Sequence, residues 1–208
     1  MAALQYARQL VQAGELGPAK NFEASYLQSW LVFHAWGAWR TEPKWLWRLS
    51  KNHGSNRVLG DIGGHILDFA AYVAGSGFSR LFCRLGTFPK AEGDRVGEYD
   101  LDANDSFAMT ARLENGALAV VHATRWATGH INELRLRIYG ALRAAEVVYS
   151  RPESSQLRIC LGADAETGTW TIVDVRRCPP ITCALPRPCA ERPISSPASG
   201  TQPISKGC

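Results

Sequence analysis

From Arg80 to Val175 the apolar residues recur with a period of two. The runs "RLFCRL", "SFAMTARL", "ALAVVHATRW", "NELRLRIYG", "AAEVVYS", "QLRICL" and "TWTIVDV" each alternate or stay apolar over strand length. This constrains the fold more than any other feature, because a period of two puts successive side chains on opposite faces of a sheet and cannot line one face of a helix. Between two of the runs, "ENG" at Glu114 to Gly116 is a hairpin signal. Consecutive strands joined by such turns give an antiparallel meander.

Upstream the period is helical. Leu4, Ala7, Leu10 and Val11 share one face, with Gly14 as a stop, and a second helix is expected from about Gly64 to Ala74, with Ile66, Phe69, Ala70 and Val73 on its apolar face and "GSG" ending it. "KNFEASY" reads as a strand between them. The aromatic stretch "SWLVFHAWGAWRTEPKWLWRLSKNHGSN" fits neither period and is broken by Gly, Pro and Asn, so it reads as a long, partly buried loop. A few helices followed by many strands define an α+β fold: an open, mainly antiparallel β-sheet with helices on one face.

A chain of 208 residues, 46% apolar and with seven Trp, can bury a real core. Its longest charge-free stretch, Ala24 to Trp39, is too short to span a bilayer and is interrupted by Ser25, Gln28, Ser29 and His34. The start, "MAALQYARQLVQAGELG", lacks the pattern of a secretory signal, so no membrane association and a cytoplasmic location are expected. Of the net charge of +4, a net +3 falls from Arg177 onward, where Arg177, Arg187, Arg192 and Lys206 face Glu191 alone. The basic character belongs to the tail and does not imply a nucleic-acid partner.

That tail, residues 177–208, holds seven of the eleven Pro, four of the six Cys and no aromatic residue. It is expected to be disordered, since it offers too little apolar surface to offset its ordering entropy. The abrupt change of composition leaves open an abnormal terminus or a shifted reading frame. Residues 1–176 form the expected folded domain. The tail has no CxxC and no nearby His, so no metal site is assigned to it.

The sharpest polar pair is in "RVLGDIGGHILDFAAYVAG", Arg57 to Gly75, where Asp61 and His65 stand four residues apart among Gly60, Gly63 and Gly64. If the intervening turn is helical, both side chains share a face, and the carboxylate would orient the imidazole as a general base. On the pattern alone two other readings stand beside this: Asp61 as a helix cap with His65 solvated, and a metal site of Asp61, His65 and His53. The Trp cluster reads either as a carbohydrate-stacking platform or as packing. His122 and His130 read as sheet or loop residues, and Arg125 either as a sugar- or phosphate-facing group or as a solvated strand end.

"WRLSKNHGSNRVLGDIGGHILDFAAYVAG" resembles a segment of the Gfo/Idh/MocA oxidoreductases, the glucose-fructose oxidoreductase and inositol dehydrogenase family. "AGELGPAKNFEASYLQSW" and "DANDSFAMTARLENGALAVVHATRWATGHINELRLRIYG" resemble the entry and the central strands of that family's C-terminal domain, in the family's order. The resemblance runs from about Ala7 to Val175. It implies that His65 is the proton-transferring histidine and Asp61 its acidic neighbour, with Trp47, Arg48 and Asp68 at the substrate pocket. It further implies NAD or NADP as cofactor, a small-molecule sugar, cyclitol or related polyol as substrate, and a homo-oligomer formed through the exposed sheet face.

The chain also departs from the family. It has no GxGxxG and no EKP, the nearest approach being "EPK" at Glu42 to Lys44. No Rossmann domain, and no binding of the cofactor by this chain alone, is therefore expected. Ser55, Asn56 and Arg57 replace the family's small glycine run, which places a bulky Arg near the pocket, and a second Gly usual near Arg143 is missing. The reading is a substrate and oligomerisation domain, inactive without a cofactor domain. Its alternative is a non-catalytic subunit that associates with a complete relative through the sheet face.

Overall fold

The computed structural model describes residues 1–34, 36–150 and 154–175, and the tail expected to be disordered lies outside them. The elements in chain order are α1 (Ala2–Gln12), β1 (Ala19–Gln28), α2 (Pro43–Leu46), α3 (Gly64–Ala74), β2 (Phe78–Gly86), β3 (Arg95–Val96), β4 (Tyr99–Asp100), β5 (Ser106–Leu113), β6 (Leu118–Thr124), β7 (Asn132–Gly140), β8 (Ala144–Ser150), β9 (Ser154–Cys160), α4 (Asp164–Thr167) and β10 (Thr171–Val173). Eight strands make one open sheet in the order β10-β9-β8-β7-β1-β6-β5-β2, and β3 and β4 form a separate ribbon.

The meander expected after Arg80 is present as β7 to β10, each strand antiparallel to the next. The hairpin at Glu114 to Gly116 closes as expected, with Leu113 N donating to Ala117 O at 2.9 Å and Gly116 in the left-handed region at φ 89°. One pairing departs from the meander: β1 runs parallel to β6 and antiparallel to β7. The chain leaves β1, builds β2 and β5, and returns through β6, so β1 lies near the middle of a mixed sheet.

Alternation sorts the two faces. Along one row of register, Met109, Val121, Ala24, Leu136, Val147 and Leu157 are all buried beneath the α1–α3 layer. The adjacent row on the opposite face carries Phe82, Val120, Glu23, Arg137, Glu146 and Arg158. There Glu146 is only 2% exposed, and it accepts hydrogen bonds from Arg135, Arg137 and Arg158. A carboxylate with three guanidinium donors can be taken from water without being left unpaired.

The aromatic stretch is the long, partly buried loop expected, carrying among the described residues only short helical turns such as α2, and it has a core of its own. With residues 91–101 it forms a second hydrophobic cluster, in which Trp30, Leu31, Trp39, Leu46, Leu49 and Leu101 are buried and Trp36, Trp45 and Tyr99 pack against them. Trp39 is 1% exposed, and its indole N–H is satisfied by Leu31 O at 3.1 Å. An aromatic side chain covers roughly 150–250 Å², so each buried indole contributes roughly 4–6 kcal/mol as an upper estimate. That is enough to order an aperiodic segment. No helix among the described residues is long and apolar enough to cross a membrane.

Candidate functional site

A cleft of about 440 Å³ opens where the two hydrophobic clusters meet. Trp30, Trp36, Trp45 and Arg48 of the aromatic cluster line one part of it, and Asp61, Ile62 and His65 line another. Tyr26 and Gln28 at the end of β1, and Asn132 at the start of β7, complete the lining. The strand termini and the helix start converge because β1 lies beside β7 while α3 packs across β1.

Asp61 stands in a single π-helical turn, Leu59–Gly63, that runs directly into α3. Such a turn holds one residue more than an α-turn and recurs at functional sites. The glycines around it are not equivalent. A Cβ on Gly63 would lie 2.9 Å from Phe107 Cε1 and 3.1 Å from Leu59 Cδ1, so only glycine lets the turn seat against β5, whereas a Cβ on Gly64 would meet nothing within 4 Å. The turn is helical, as the pairing of Asp61 with His65 requires, yet the carboxylate has another partner. Arg125 Nη2 donates to Asp61 Oδ2 at 2.6 Å, and among the described residues no hydrogen bond joins Asp61 to His65. His65 is exposed at the cleft, with its ring 6.4 Å from that of Tyr26.

Arg125 is neither a solvated strand end nor a ligand-facing group. Its side chain is 0% exposed and follows β6 into the seam between the clusters. There Nη1 donates to Arg48 O at 3.4 Å, the guanidinium lies 5.2 Å from the Trp30 ring, and the backbone N–H donates to Asp105 O at 3.1 Å. Burial pulls this guanidinium below its ordinary range, and the charge and hydrogen bond of Asp61 act against that pull. Behind it, Lys90 and Asp105 form an ion pair at 2.9 Å with both side chains 0% exposed. Arg125 is thus a buried partner of Asp61, a place that neither of the two sequence readings gave it. The strand pattern "HATRW" gave no sign that its partner would lie 64 residues away.

Of the other residues expected at the site, Arg48 lines the cleft. Trp47 is absent from the lining and supports Arg48 from behind, its ring 4.5 Å from the guanidinium. Asp68 lies exposed on α3, outside the lining. Arg57 does not line the cleft either. It is exposed and adopts φ 58°, a left-handed conformation that glycine takes up more readily than arginine. His53 is held apart, its Nδ1 2.9 Å from Ser50 Oγ and its ring 4.3 Å from Tyr99. Among the described residues no three His, Cys, Asp or Glu side chains gather as a metal-ligand set. Within the Trp cluster, Trp39 packs in a core while Trp30, Trp36 and Trp45 line the cleft.

Residues 4–146 match the family model described as the GFO/IDH/MocA C-terminal domain. The chain is 28% identical over 176 residues to the levoglucosan dehydrogenase of Pseudarthrobacter phenanthrenivorans, covering 78% of this chain and 43% of that protein. Among solved structures, an oxidoreductase domain protein from Kribbella flavida is 30% identical, with a TM-score of 0.62 over 82% of this chain and 43% of that one. A levoglucosan dehydrogenase in complex with NADH and levoglucosan is 26% identical, with a TM-score of 0.64 over 83% of this chain and 44% of that one. The chain therefore spans less than half the length of the relatives it matches.

Proposed function

Because this chain belongs to the GFO/IDH/MocA family as a C-terminal domain, we propose that it is the substrate-binding part of an NAD(P)-dependent oxidoreductase acting on a sugar, cyclitol or related polyol. The observation that carries the proposal is the joining of His65, Asp61 and a wall of indoles in one cleft. Indole faces suit the C–H faces of a sugar ring, while the carboxylate and the imidazole suit its hydroxyls. In this reading His65 takes the proton of the reacting hydroxyl, and Asp61, fixed by Arg125, accepts a hydrogen bond from the ligand. Arg48, propped on Trp47, borders the pocket. Asp68, exposed on α3 outside the lining, is proposed as a further substrate-binding residue.

The described residues do not fit a dinucleotide. The one parallel strand pair, β1 and β6, is not joined by a strand, Gly-rich turn and helix in succession, the arrangement that cradles a pyrophosphate. In this reading the described residues supply the substrate side: a proton acceptor, an anchored carboxylate and an apolar wall. The nicotinamide cofactor is proposed to be carried by a dinucleotide-binding domain, without which the chain is inactive. We also propose a cytoplasmic location and a homo-oligomer through the outer sheet face, where Phe82, Leu118 and Val120 are 72%, 59% and 45% exposed.

The test is a chimera that joins this chain to the dinucleotide-binding domain of a family member. Polyol-dependent reduction of NAD or NADP is expected, and His65→Ala should lower its turnover by about 10²-fold or more, the scale of a lost general base. An active chimera indifferent to His65→Ala would overturn the proposal.

A further inference from the structure

An indole N–H can only donate a hydrogen bond, so it fixes the polarity of whatever amide it meets. Trp30 Nε1 donates to Gln28 Oε1 at 3.1 Å, which makes that side of the Gln28 amide its oxygen. Gln28 Nε2 must then donate, and it does, to Asn132 Oδ1 at 2.9 Å. Each link leaves no choice for the next, and the chain of donors ends at the Asn132 NH2. Asn132 is 7% exposed and lines the cleft, and among the described residues no acceptor meets its Nδ2. In the same cleft Asp61 has one oxygen held by Arg125 and can only accept.

We infer that Asn132 is a specificity-determining residue whose side-chain NH2 reads an acceptor oxygen of the ligand, which rests on the sugar-binding reading above. A hydroxyl, ether or carbonyl oxygen at that point satisfies the donor. A C–H group there leaves a desolvated NH2 unpaired, and this is how a polar pocket rejects an analogue that lacks one oxygen. The partner class is thus a neutral oxygenated ring with one face of C–H groups, donating to Asp61 and accepting from Asn132.

The experiment measures binding of D-glucose and its monodeoxy and monofluoro series to the full chain. At one ring position the deoxy analogue should bind about 10-fold more weakly, the value of a hydrogen bond lost in a desolvated site, and the fluoro analogue should fall between. Asn132→Ala should erase the penalty at that position. Asn132→Asp keeps an acceptor for Gln28 but turns the ligand-facing donor into an acceptor, so the fluoro analogue, which accepts but cannot donate, should fall to the level of the deoxy analogue or below it, without depending on how well the alanine variant folds. A deoxy penalty unchanged by Asn132→Ala together with a fluoro analogue still intermediate in Asn132→Asp overturns the inference and leaves the sugar reading standing, whereas no binding of any member of the series overturns both. The polarity has its own readout: the Trp30 indole proton should exchange slowly in the free chain, and rapid exchange overturns the assignment of the amides.

Discussion

Lys90→Met removes one charge from the seam that holds the candidate site together. Lys90 Nζ donates to Phe88 O at 3.0 Å and Leu101 O at 3.2 Å and meets Asp105 Oδ2 at 2.9 Å, so each ammonium proton has a partner. Asp105 also accepts from Phe88 N at 2.9 Å and from Ser106 Oγ at 3.0 Å. Both side chains of the pair are 0% exposed. Methionine keeps most of the lysine stem but leaves Asp105 charged and buried, and breaking such a pair costs about 3–5 kcal/mol. For a chain of this length that lowers the melting temperature by about 6–20 °C. Asp105→Asn added to Lys90→Met removes the stranded charge while keeping an acceptor for Phe88 N. The double variant should therefore recover about 2 kcal/mol or more relative to the sum of the single changes. The assay is equilibrium urea unfolding followed by circular dichroism and tryptophan fluorescence, the latter weighted to the aromatic cluster, where Trp30, Trp36, Trp39 and Trp45 lie. A loss below about 1 kcal/mol for Lys90→Met, with additive behaviour in the double variant, would refute the reasoning.

Arg57→Gly should raise stability by about 0.5–1 kcal/mol, since relief of the left-handed strain at φ 58° exceeds the extra chain entropy of glycine, and urea unfolding would read a higher midpoint at constant slope. Gly63→Ala should lower stability by about 1–3 kcal/mol, as overpacking against Phe107 does, and should reduce sugar binding because it displaces the turn that carries Asp61; unchanged binding would show that the turn tolerates the shift. Glu146 titrates below its ordinary value: burial raises it, but the hydrogen bond from Arg137 and the charges of Arg137, Arg135 and Arg158 outweigh that. Its contribution is thus present above the unfolded value and lost as pH falls through the lower folded one, so Glu146→Gln should flatten the acid limb of a stability profile. At pH 7 the same change should cost about 1–3 kcal/mol, less than for a fully buried pair because the three arginines are 34–38% exposed.

The sheet and its helices were legible because their signal is local. Alternation in "NELRLRIYG" places Leu134, Leu136 and Ile138 on the buried face, and helical spacing brings Ile66, Ala70 and Val73 under cover, whatever the rest of the chain does. The Asp61 and His65 pair was visible for the same reason, since four residues span about one helical turn. Three things depended on contacts between distant segments. The aromatic stretch has no period because its indoles point wherever the second core happens to lie. The parallel placement of β1 against β6 follows from the path of the chain between them, to which neither strand's own pattern contributes. Asp61 binds Arg125 rather than His65 because a π turn and the end of β6 meet where the guanidinium is closed to water and would be costly unpaired, while the carboxylate, itself 36% exposed at the cleft, lies within its reach.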